Sequence, residues 1–380
     1  MSKDEWLNEA SLRDLQDAMQ RGELTSEQLT AHCLSRIAEH NKRGAEINAV
    51  LEVNPDAMQI ANAMDAIRRV AGSRGRLHGI PVLLKDNINT GDKMHTSAGS
   101  LALANNLAAQ DSFVVTQLRR AGAVILGKAN MTEWANFMAD DMRNGYSSRG
   151  GQVKNPYGDF DVGGSSSGSA AGVTAGFAPL AVGTETSGSI LSPAHYCSVV
   201  GIKPTLGLIS RSGIIPIAHS QDTAGPIART VMDAAAMLRA MVGVDDADPV
   251  TWTRRGREVE DYLAGLSLHA LSGARLGIVR EYFASLDAGR AAVYDSTIDA
   301  LTRLGAVIVE VDDYAPQVDK GDYRVLLYEF KPNLNAYLAK TGPDVPVHSL
   351  ADVIDFNSKN PEACLRYGQS VLLAAEETSG

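Results

Sequence analysis

Apolar residues recur every three to four positions through the first seventy residues of the chain. This spacing predicts two helices within residues 9–41 and a third, alanine-rich helix over residues 56–71. Ser11 and Asp14 are placed as a capping pair at the start of the first helix. The apolar positions of the first two helices are Leu12, Leu15, Met19, Leu29, Cys33 and Ile37. These segments carry no chemical motif, so we expect them to cover a core that later residues build.

Short apolar runs replace this helical spacing from residue 78 onward. Residues 79–84, 123–126 and 179–182 contain no polar residue, which is typical of strands buried on both faces of a sheet. Helical segments, such as the one at 112–121, separate these runs. Strands that alternate with helices predict an α/β fold with a largely internal sheet.

A polar stretch interrupts the second half of the chain. Residues 244–273 carry Asp, Arg and Gly and contain one short helical stretch at 257–266, which predicts a linker or insertion. The strand, helix and strand that follow over 275–311 predict a βαβ-like unit, and residues 323–338 and 362–377 predict further helices.

The length of the chain allows a sizeable core, and we expect one domain over residues 1–380. This domain has four predicted parts. They are an N-terminal helical cover (1–72), a core (73–243), the linker or insertion (244–273) and a C-terminal α/β part (274–380).

Charge and cysteine content exclude several classes of protein. With 35 Lys and Arg against 45 Asp and Glu, the formal net charge is −10, which argues against nucleic acid or an anionic membrane as a partner. Cys33, Cys197 and Cys364 are far apart and form no CxxC pair. We therefore expect neither a disulfide framework nor a thiolate zinc site.

The beginning of the chain and its apolar runs carry no membrane or export signal. The first ten residues, MSKDEWLNEA, are charged and lack the apolar stretch of a signal peptide. No run approaches the roughly 18–20 apolar residues of a spanning helix. We expect a cytoplasmic protein, and the alternative is a protein whose leader is missing from this sequence.

Residues 122–128 match most of the phosphate-binding P-loop pattern. The four residues between Gly122 and Gly127 are apolar and strand-like, however, and Ala129 stands where the pattern needs a hydroxyl group for magnesium. We interpret this segment as a strand followed by a turn.

Residues 164–168 match the G-x-S-x-G pattern of a nucleophile elbow, with Ser166 as the nucleophile. Such an elbow follows a buried strand, whereas the polar, turn-rich residues 155–161 precede this one. The context therefore argues against a Ser-His-Asp esterase that uses Ser166, which we keep as an alternative.

A lysine stands at the end of the first apolar run. Burial disfavours the charged form of lysine and lowers its pKa, so that Lys85 could act as a base. The alternative is a structural ion pair with an acid such as Asp86. Neighbouring side chains of a strand point to opposite faces, which makes Asp86 a poor partner for Lys85.

Two stretches of small residues follow. Residues 163–169 consist of Gly and Ser, which permit close backbone approach and a hydroxyl that relays protons; the alternative is a flexible surface loop. Residues 183–194 follow the apolar run at 179–182. A serine in this segment would lie among small residues with free amides, which suits an attacked carbonyl and an oxyanion hole.

Taken together, these segments resemble the amidase signature family. Six motifs match in the order of the family, and the likeness is strong from about residue 10 to residue 240. The motifs are GIPVLLKDN (79–87), TSAGS (96–100), GGSSSG (163–168), GTETSGSI (183–190), GIKPT (201–205) and SQDTAGPIART (220–230). The resemblance implies a mixed central β-sheet surrounded by helices and hydrolysis of a linear amide without cofactor or metal. The substrate would be a small-molecule or peptide amide, and we expect a monomer or homodimer.

The resemblance also implies a Ser–cis-Ser–Lys triad. Ser189 would be the nucleophile, Ser165 the bridging serine after a cis peptide bond, and Lys85 the base. The implied oxyanion hole consists of the backbone amides of Thr186, Ser187, Gly188 and Ser189. Histidine has no role in this scheme.

The sequence departs from the common family pattern at three positions. Glu185 and Ser187 replace an aspartate and a glycine, and Leu191 stands where many members carry an arginine that suits acidic substrates. The absence of an arginine at position 191 favours an uncharged amide. Glu185, Leu191 and the SQDT sequence at 220–223 resemble the peptide amidases, which remove the C-terminal amide from peptides. The C-terminal α/β part is also short for the family, so either the sheet is completed differently or the sequence is a fragment.

Two further hypotheses remain. The first is the amidase subunit of an aminoacyl-tRNA amidotransferase, against which Leu191 argues. The second is an inactive, truncated relative that only binds, against which the complete triad argues.

Overall fold

The apolar runs form the middle of a six-stranded sheet. The computed structural model describes residues 2–311 and 321–380. Its strands are β1 (Val50–Val53), β2 (Pro81–Lys85), β3 (Val124–Ala129), β4 (Tyr146–Ser147), β5 (Gly151–Gln152), β6 (Leu180–Glu185), β7 (Val200–Gly201), β8 (Thr223–Ala228), β9 (Arg275–Ile278) and β10 (Val307–Glu310). The order in the large sheet is β1–β3–β2–β6–β8–β7.

Parallel and antiparallel pairs both occur in this sheet. Strand β2 runs parallel to β3 and β6, whereas β1 is antiparallel to β3, and β8 is antiparallel to β6 and β7. Strands β2, β3, β6 and β8 are buried along their whole length, and most of their residues are apolar, as is typical of strands covered on both faces. The predicted mixed α/β fold with an internal sheet is therefore confirmed.

Helix α6 (Ser167–Thr174) packs against β2 and β6 of this sheet. The helices are α1 (Lys3–Glu9), α2 (Leu12–Gln20), α3 (Ser26–His40), α4 (Ala57–Ala71), α5 (Phe113–Arg120), α6 (Ser167–Thr174), α7 (Leu191–Tyr196), α8 (Val231–Met241), α9 (Ala288–Arg303), α10 (Gly321–Leu338), α11 (Leu350–Lys359), α12 (Pro361–Cys364) and α13 (Ser370–Glu376). At the start of α2, Ser11 and Asp14 each accept a hydrogen bond from the other's main-chain N–H, as predicted.

Two predicted helices are wrong in part or in full. The single helix expected over 362–377 is divided into α12 and α13, because Gly368 adopts a positive φ of 75° between them. The helix expected over 257–266 is absent from the described residues. Its side chains are mostly exposed and offer no apolar face to bury, so the backbone forms separate turns.

The chain divides into two compact units. The main unit contains Met1–Glu260 and Val325–Gly380, and the small unit contains Asp261–Arg324. In the small unit, β9 and β10 pair in parallel and α9 connects them, which confirms the predicted βαβ-like unit. Residues 312–320 of the predicted C-terminal part lie outside the described residues.

Two further properties concern the described residues alone. No helix among them is both long enough and apolar enough to span a bilayer. The three cysteines are free thiols, and all three are buried in the folded chain.

Candidate active site

Separate chain segments meet at one edge of the six-stranded sheet. Parallel strands β2 and β6 end there, and antiparallel strand β8 begins there at Thr223. The loop before α6 reaches the same edge, because the main-chain N–H of Ser166 donates to the carbonyl oxygen of Ser189 at 3.1 Å. The topology of the sheet thus brings together residues that lie far apart in the sequence.

Lys85 is fully buried at the end of β2. Its Nζ lies 2.7 Å from Oγ of Ser165, 2.8 Å from Oγ1 of Thr184 and 3.1 Å from the carbonyl oxygen of Thr184. Burial lowers the pKa of Lys85 to about 7, although the charges of Asp222 and Glu185 act in the opposite direction. A large fraction of Lys85 is therefore neutral near physiological pH.

Asp86 points away from Lys85, as strand alternation predicts. Its Oδ2 accepts hydrogen bonds from the main-chain N–H groups of Ser97 at 3.2 Å and Gly99 at 3.0 Å. Its Oδ1 lies 3.5 Å from the guanidinium group of Arg149. The alternative of a structural ion pair between Lys85 and Asp86 is therefore wrong.

The Gly/Ser-rich loop before α6 is buried and held by hydrogen bonds. Its fully buried serines are Ser165, Ser166, Ser167 and Ser169. The Ser166 hydroxyl donates to the carbonyl of Thr184 at 3.1 Å, and the Ser169 hydroxyl donates to the carbonyl of Val182 at 2.9 Å. A flexible surface loop, the alternative interpretation of this segment, is therefore wrong.

Gly164 lies where no larger residue fits. A Cβ atom at this position would come within 2.7 Å of Oγ1 of Thr132 and of Oδ1 of Asn144. The peptide bond between Gly164 and Ser165 is cis. The carbonyl oxygen of Ser165 accepts a hydrogen bond of 3.1 Å from the main-chain N–H of Thr132, which fixes the loop while its hydroxyl faces Lys85.

Ser189 lies at the end of a short loop whose main-chain amides are largely unpaired. Residues 186–189, which we call the amide loop, follow β6, and Gly188 adopts a φ of 79° within it. Across the described part of the chain, no protein acceptor bonds to the main-chain N–H groups of Ser187, Gly188 or Ser189. The Ser189 hydroxyl likewise has no hydrogen-bond partner among the described residues, although Ser189 is only 8% exposed.

Glu185 anchors the far end of the amide loop. Its Oε2 accepts hydrogen bonds from the main-chain N–H groups of Ile190 at 2.7 Å and Leu191 at 3.0 Å. A carboxylate at the start of α7 complements the unpaired N–H groups of the first helical turn. The Leu191 side chain is 47% exposed next to this anchor.

The structure therefore brings Lys85 and Ser165 into direct contact and joins Ser189 to the same loop through its main chain. Among the described residues, no hydrogen bond joins the hydroxyls of Ser165 and Ser189. Catalytic hydrogen bonds are often long without substrate and shorten when substrate is bound.

The two rejected motifs have structural explanations. Lys128 is a buried residue of β3 whose Nζ donates to the carbonyl of Ile88 and to Oγ1 of Thr96, the latter at 2.9 Å. It lies within a strand, as predicted. Ser166 is fully buried against Thr184 and cannot present its hydroxyl to a substrate as a nucleophile elbow does.

No histidine side chain forms a hydrogen bond to Lys85, Ser165 or Ser189 among the described residues, although His219 lines the same cavity as Thr184, Thr186 and Asp222. His95 bonds to Glu52 at 3.0 Å, and His195 is an exposed residue of α7. Among residues 2–311 and 321–380, no three His, Cys, Asp or Glu side chains are grouped as metal ligands would be.

Three residues of the site are not identified by the sequence reasoning. Thr184 contacts Lys85 through both of its oxygen atoms, and Asn87 donates to Oγ1 of Thr184 at 3.0 Å. Asp222 bonds to the hydroxyl of Thr186 in the amide loop. Each lies inside a family motif, but only the three-dimensional contacts give it a position relative to Lys85.

Comparisons with known proteins agree with this architecture. The sequence model of the family named Amidase matches residues 28–367. A probable amidase of Arabidopsis thaliana is 44% identical over 98% of this chain, which spans 73% of that protein. The X-ray structure of the native peptide amidase from Stenotrophomonas maltophilia is 47% identical with a TM-score of 0.91, and the match covers 98% of this chain and 76% of that one.

The fold and the matches define an enzyme that hydrolyses carbon–nitrogen bonds. The chain belongs to the amidase family and is an amide hydrolase of the peptide amidase-like group. The predicted family and activity are therefore confirmed. A glutamyl-tRNA(Gln) amidotransferase component from Thermotoga maritima is a more distant relative, with 27% identity and a TM-score of 0.70 over 94% of this chain and 72% of that one.

Proposed function

We propose that this enzyme cleaves uncharged peptide-type amides with Ser189 as nucleophile, Ser165 as proton relay and Lys85 as base. The contact of 2.7 Å between Nζ of a buried lysine and the Ser165 hydroxyl is the observation that carries this proposal. Burial of an isolated charged lysine costs free energy. A buried lysine with a pKa of about 7 that contacts a serine hydroxyl is suited to proton transfer.

Three oxygen atoms surround Nζ of Lys85, and a neutral amine can match them with two N–H donors and one lone pair, as the ammonium form matches them with three donors. A neutral amine keeps two hydrogens, and these match the two oxygen atoms of Thr184. The nitrogen lone pair is then directed at Oγ of Ser165, whose hydroxyl donates to it. Ser165 can accept a proton from Ser189 at the same time, so one proton moves from Ser189 to Ser165 and another from Ser165 to Lys85.

In the first half-reaction, Oγ of Ser189 forms a bond to the amide carbon. The negative charge that develops on the carbonyl oxygen is held by the main-chain N–H groups of the amide loop, a type of interaction often worth about 3–4 kcal/mol per donor. The C–N bond then breaks as the relay returns a proton to the nitrogen, and ammonia or an amine leaves. Water attacks the acyl-enzyme by the same route and releases the acid.

The side chain after Ile190 supports an uncharged substrate. Leu191 is exposed beside the amide loop and offers no charge to a carboxylate on the substrate. The solved Stenotrophomonas maltophilia relative is described as a peptide amidase. A peptide that ends in an uncharged C-terminal amide fits both observations.

A panel of matched substrates tests this proposal. We expect ammonia release from a blocked peptide with an uncharged C-terminal amide, and little release from the same peptide with an acidic residue at its end. The products are quantified by ammonia assay and by mass spectrometry of the acid. Efficient turnover of the acidic amide with none of the uncharged one would contradict the assigned substrate class.

The pH profile gives a second prediction. Because the pKa of Lys85 is lowered to about 7, its neutral form is lost as pH falls through this value. We expect kcat/KM to have an acid limb with a midpoint near pH 7 and to fall about tenfold for each unit below it. A profile that is flat from pH 8 to pH 5 would rule out Lys85 as the base.

A further inference from the structure

Asp222 occupies the same edge of the sheet as Lys85 and the amide loop. It precedes β8, whose first residue Thr223 pairs with Glu185 of β6. Oδ1 of Asp222 accepts a hydrogen bond from the hydroxyl of Thr186, the first residue of the amide loop. The amide loop is therefore held by a carboxylate at each end, with Asp222 at its first residue and Glu185 just beyond its last.

The second oxygen of Asp222 ties this contact to the strand that ends at Lys85. Oδ2 accepts hydrogen bonds from the main-chain N–H groups of Ile217 at 2.9 Å and Ala218 at 3.0 Å. The same segment is joined to the residues after β2, because the N–H of Ile215 donates to the carbonyl of Asn87 at 2.8 Å. Asp222 thus connects the amide loop with the backbone that carries Lys85.

The charge of Asp222 also acts on the lysine. Asp222 and Glu185 favour the charged form of Lys85 and oppose the effect of burial on its pKa. Burial raises the pKa of Asp222 itself to about 6, while its hydrogen bonds and Arg211 act in the opposite direction. The charged and titratable groups around this cluster are therefore Lys85, Glu185, Asp222, Arg211 and His219, which lines the same cavity as Thr186 and Asp222.

We propose that Asp222 is a positioning residue for amide hydrolysis, which fixes the oxyanion donors through Thr186 and ties the amide loop to the backbone that follows Lys85. The inference rests on the proposed roles of Ser189 and Lys85. The contact with Thr186 and the carboxylate charge can be tested separately, because Thr186→Val removes the contact and keeps the charge.

Asp222→Asn keeps the size of the side chain and removes its charge. We expect kcat to fall about 10–100-fold, since a small displacement of catalytic groups can cost about 100-fold, with KM changing less than threefold. Without the negative charge the pKa of Lys85 falls, so the acid limb of kcat/KM moves to lower pH by about half a unit or more. A merely structural role would not move this midpoint.

Thr186→Val isolates the positioning contact and also serves if Asp222→Asn does not fold. It removes the hydroxyl and leaves the Asp222 charge, so we expect a loss of kcat of about tenfold or more with the acid midpoint unchanged. Thr186→Ser should restore most of the activity that Thr186→Val loses.

Asp233→Asn is the matched control. Asp233 is a buried carboxylate that accepts a hydrogen bond of 3.0 Å from the N–H of Leu12. Leu12 lies far along the chain from the amide loop. Asp233→Asn should leave both kcat and the acid midpoint at the wild-type values when the variants are compared at equal folded fraction by thermal melting.

The outcomes distinguish this inference from the proposed function. Wild-type kcat and pH profile in both Asp222→Asn and Thr186→Val would overturn the role of Asp222 while leaving the triad intact. A shift of the Asp222→Asn midpoint to higher pH would overturn its effect on Lys85. If Ser189→Ala retains activity, the proposed mechanism itself fails.

Discussion

Replacing Ser189 by alanine is expected to lower amide hydrolysis by at least about 10,000-fold, because loss of the nucleophile removes the acyl-enzyme route altogether. The hydroxyl of Ser189 has no protein partner among the described residues and the main-chain amides beside it are free, which suits an attacking group next to an oxyanion hole. The measurement is ammonia release from a C-terminally amidated peptide at pH 8, where Lys85 is mostly neutral.

Ser192→Ala is the control for this variant. Ser192 lies in the first turn of α7, close in sequence to Ser189, and its main-chain N–H takes part in the local structure by donating to Gly188 at 2.7 Å. Its activity should stay within about twofold of wild type, as is usual for a substitution away from key contacts. A Ser189→Ala enzyme that turns over at the rate of Ser192→Ala would exclude Ser189 as nucleophile.

Lys85→Met is the second substitution for which we expect a large effect, a loss of about 1,000–10,000-fold in kcat/KM. Methionine fills a similar volume without a basic nitrogen, so Ser165 loses the group that takes its proton. The acid limb near pH 7 should disappear from the residual activity. Thermal melting checks that the variant is folded, which burial of an apolar side chain favours.

Lys128→Met is a closely matched control, because Lys128 is also a fully buried lysine of the same sheet. Burial lowers its pKa to about 8, and in the register of β2 and β3 it lies opposite Leu84. Its contacts are with Ile88 and Thr96 rather than with a serine. If the folded Lys128→Met enzyme is as inactive as Lys85→Met, the loss of activity comes from a disturbed sheet and not from the removal of a catalytic base.

Substitution of the histidines addresses the alternative chemistry. His95, His195 and His219 variants should keep most of the activity, since none of their side chains contacts Ser165, Ser166 or Ser189 among the described hydrogen bonds. A histidine variant as inactive as Lys85→Met would move the case to a Ser-His-Asp mechanism.

Much of the fold follows from the spacing of apolar residues. Where the spacing of apolar residues fits only a helix or only a strand, the element was predictable from its own sequence. This holds for the helices α2, α3 and α4 and for the buried strands β2, β3 and β6. Strand β8 was not predictable in this way, because Gly225 and Pro226 weaken its local signal, and only pairing with β6 makes it a strand.

The residues of the site also differ in whether a local sequence pattern identifies them. The buried lysine at the end of an apolar run was recognisable from burial and charge alone, and the resemblance to a family added the two serines. Thr184 and Asp222 were not predicted, because no local pattern encodes their contacts. Thr184 contacts Lys85, about 100 residues away in the sequence, and Asp222 contacts Thr186, which is 36 residues away.

The three buried thiols have a practical consequence for work on this enzyme. Burial raises the pKa of Cys33 and Cys197 to about 12 and that of Cys364 to about 11, so hardly any thiolate forms at neutral pH. An alkylating dye should therefore leave the native protein almost unlabelled. A single cysteine introduced at the exposed position of Ser187 would be the one fast-reacting thiol, and a fluorophore attached there would report substrate arrival at the amide loop.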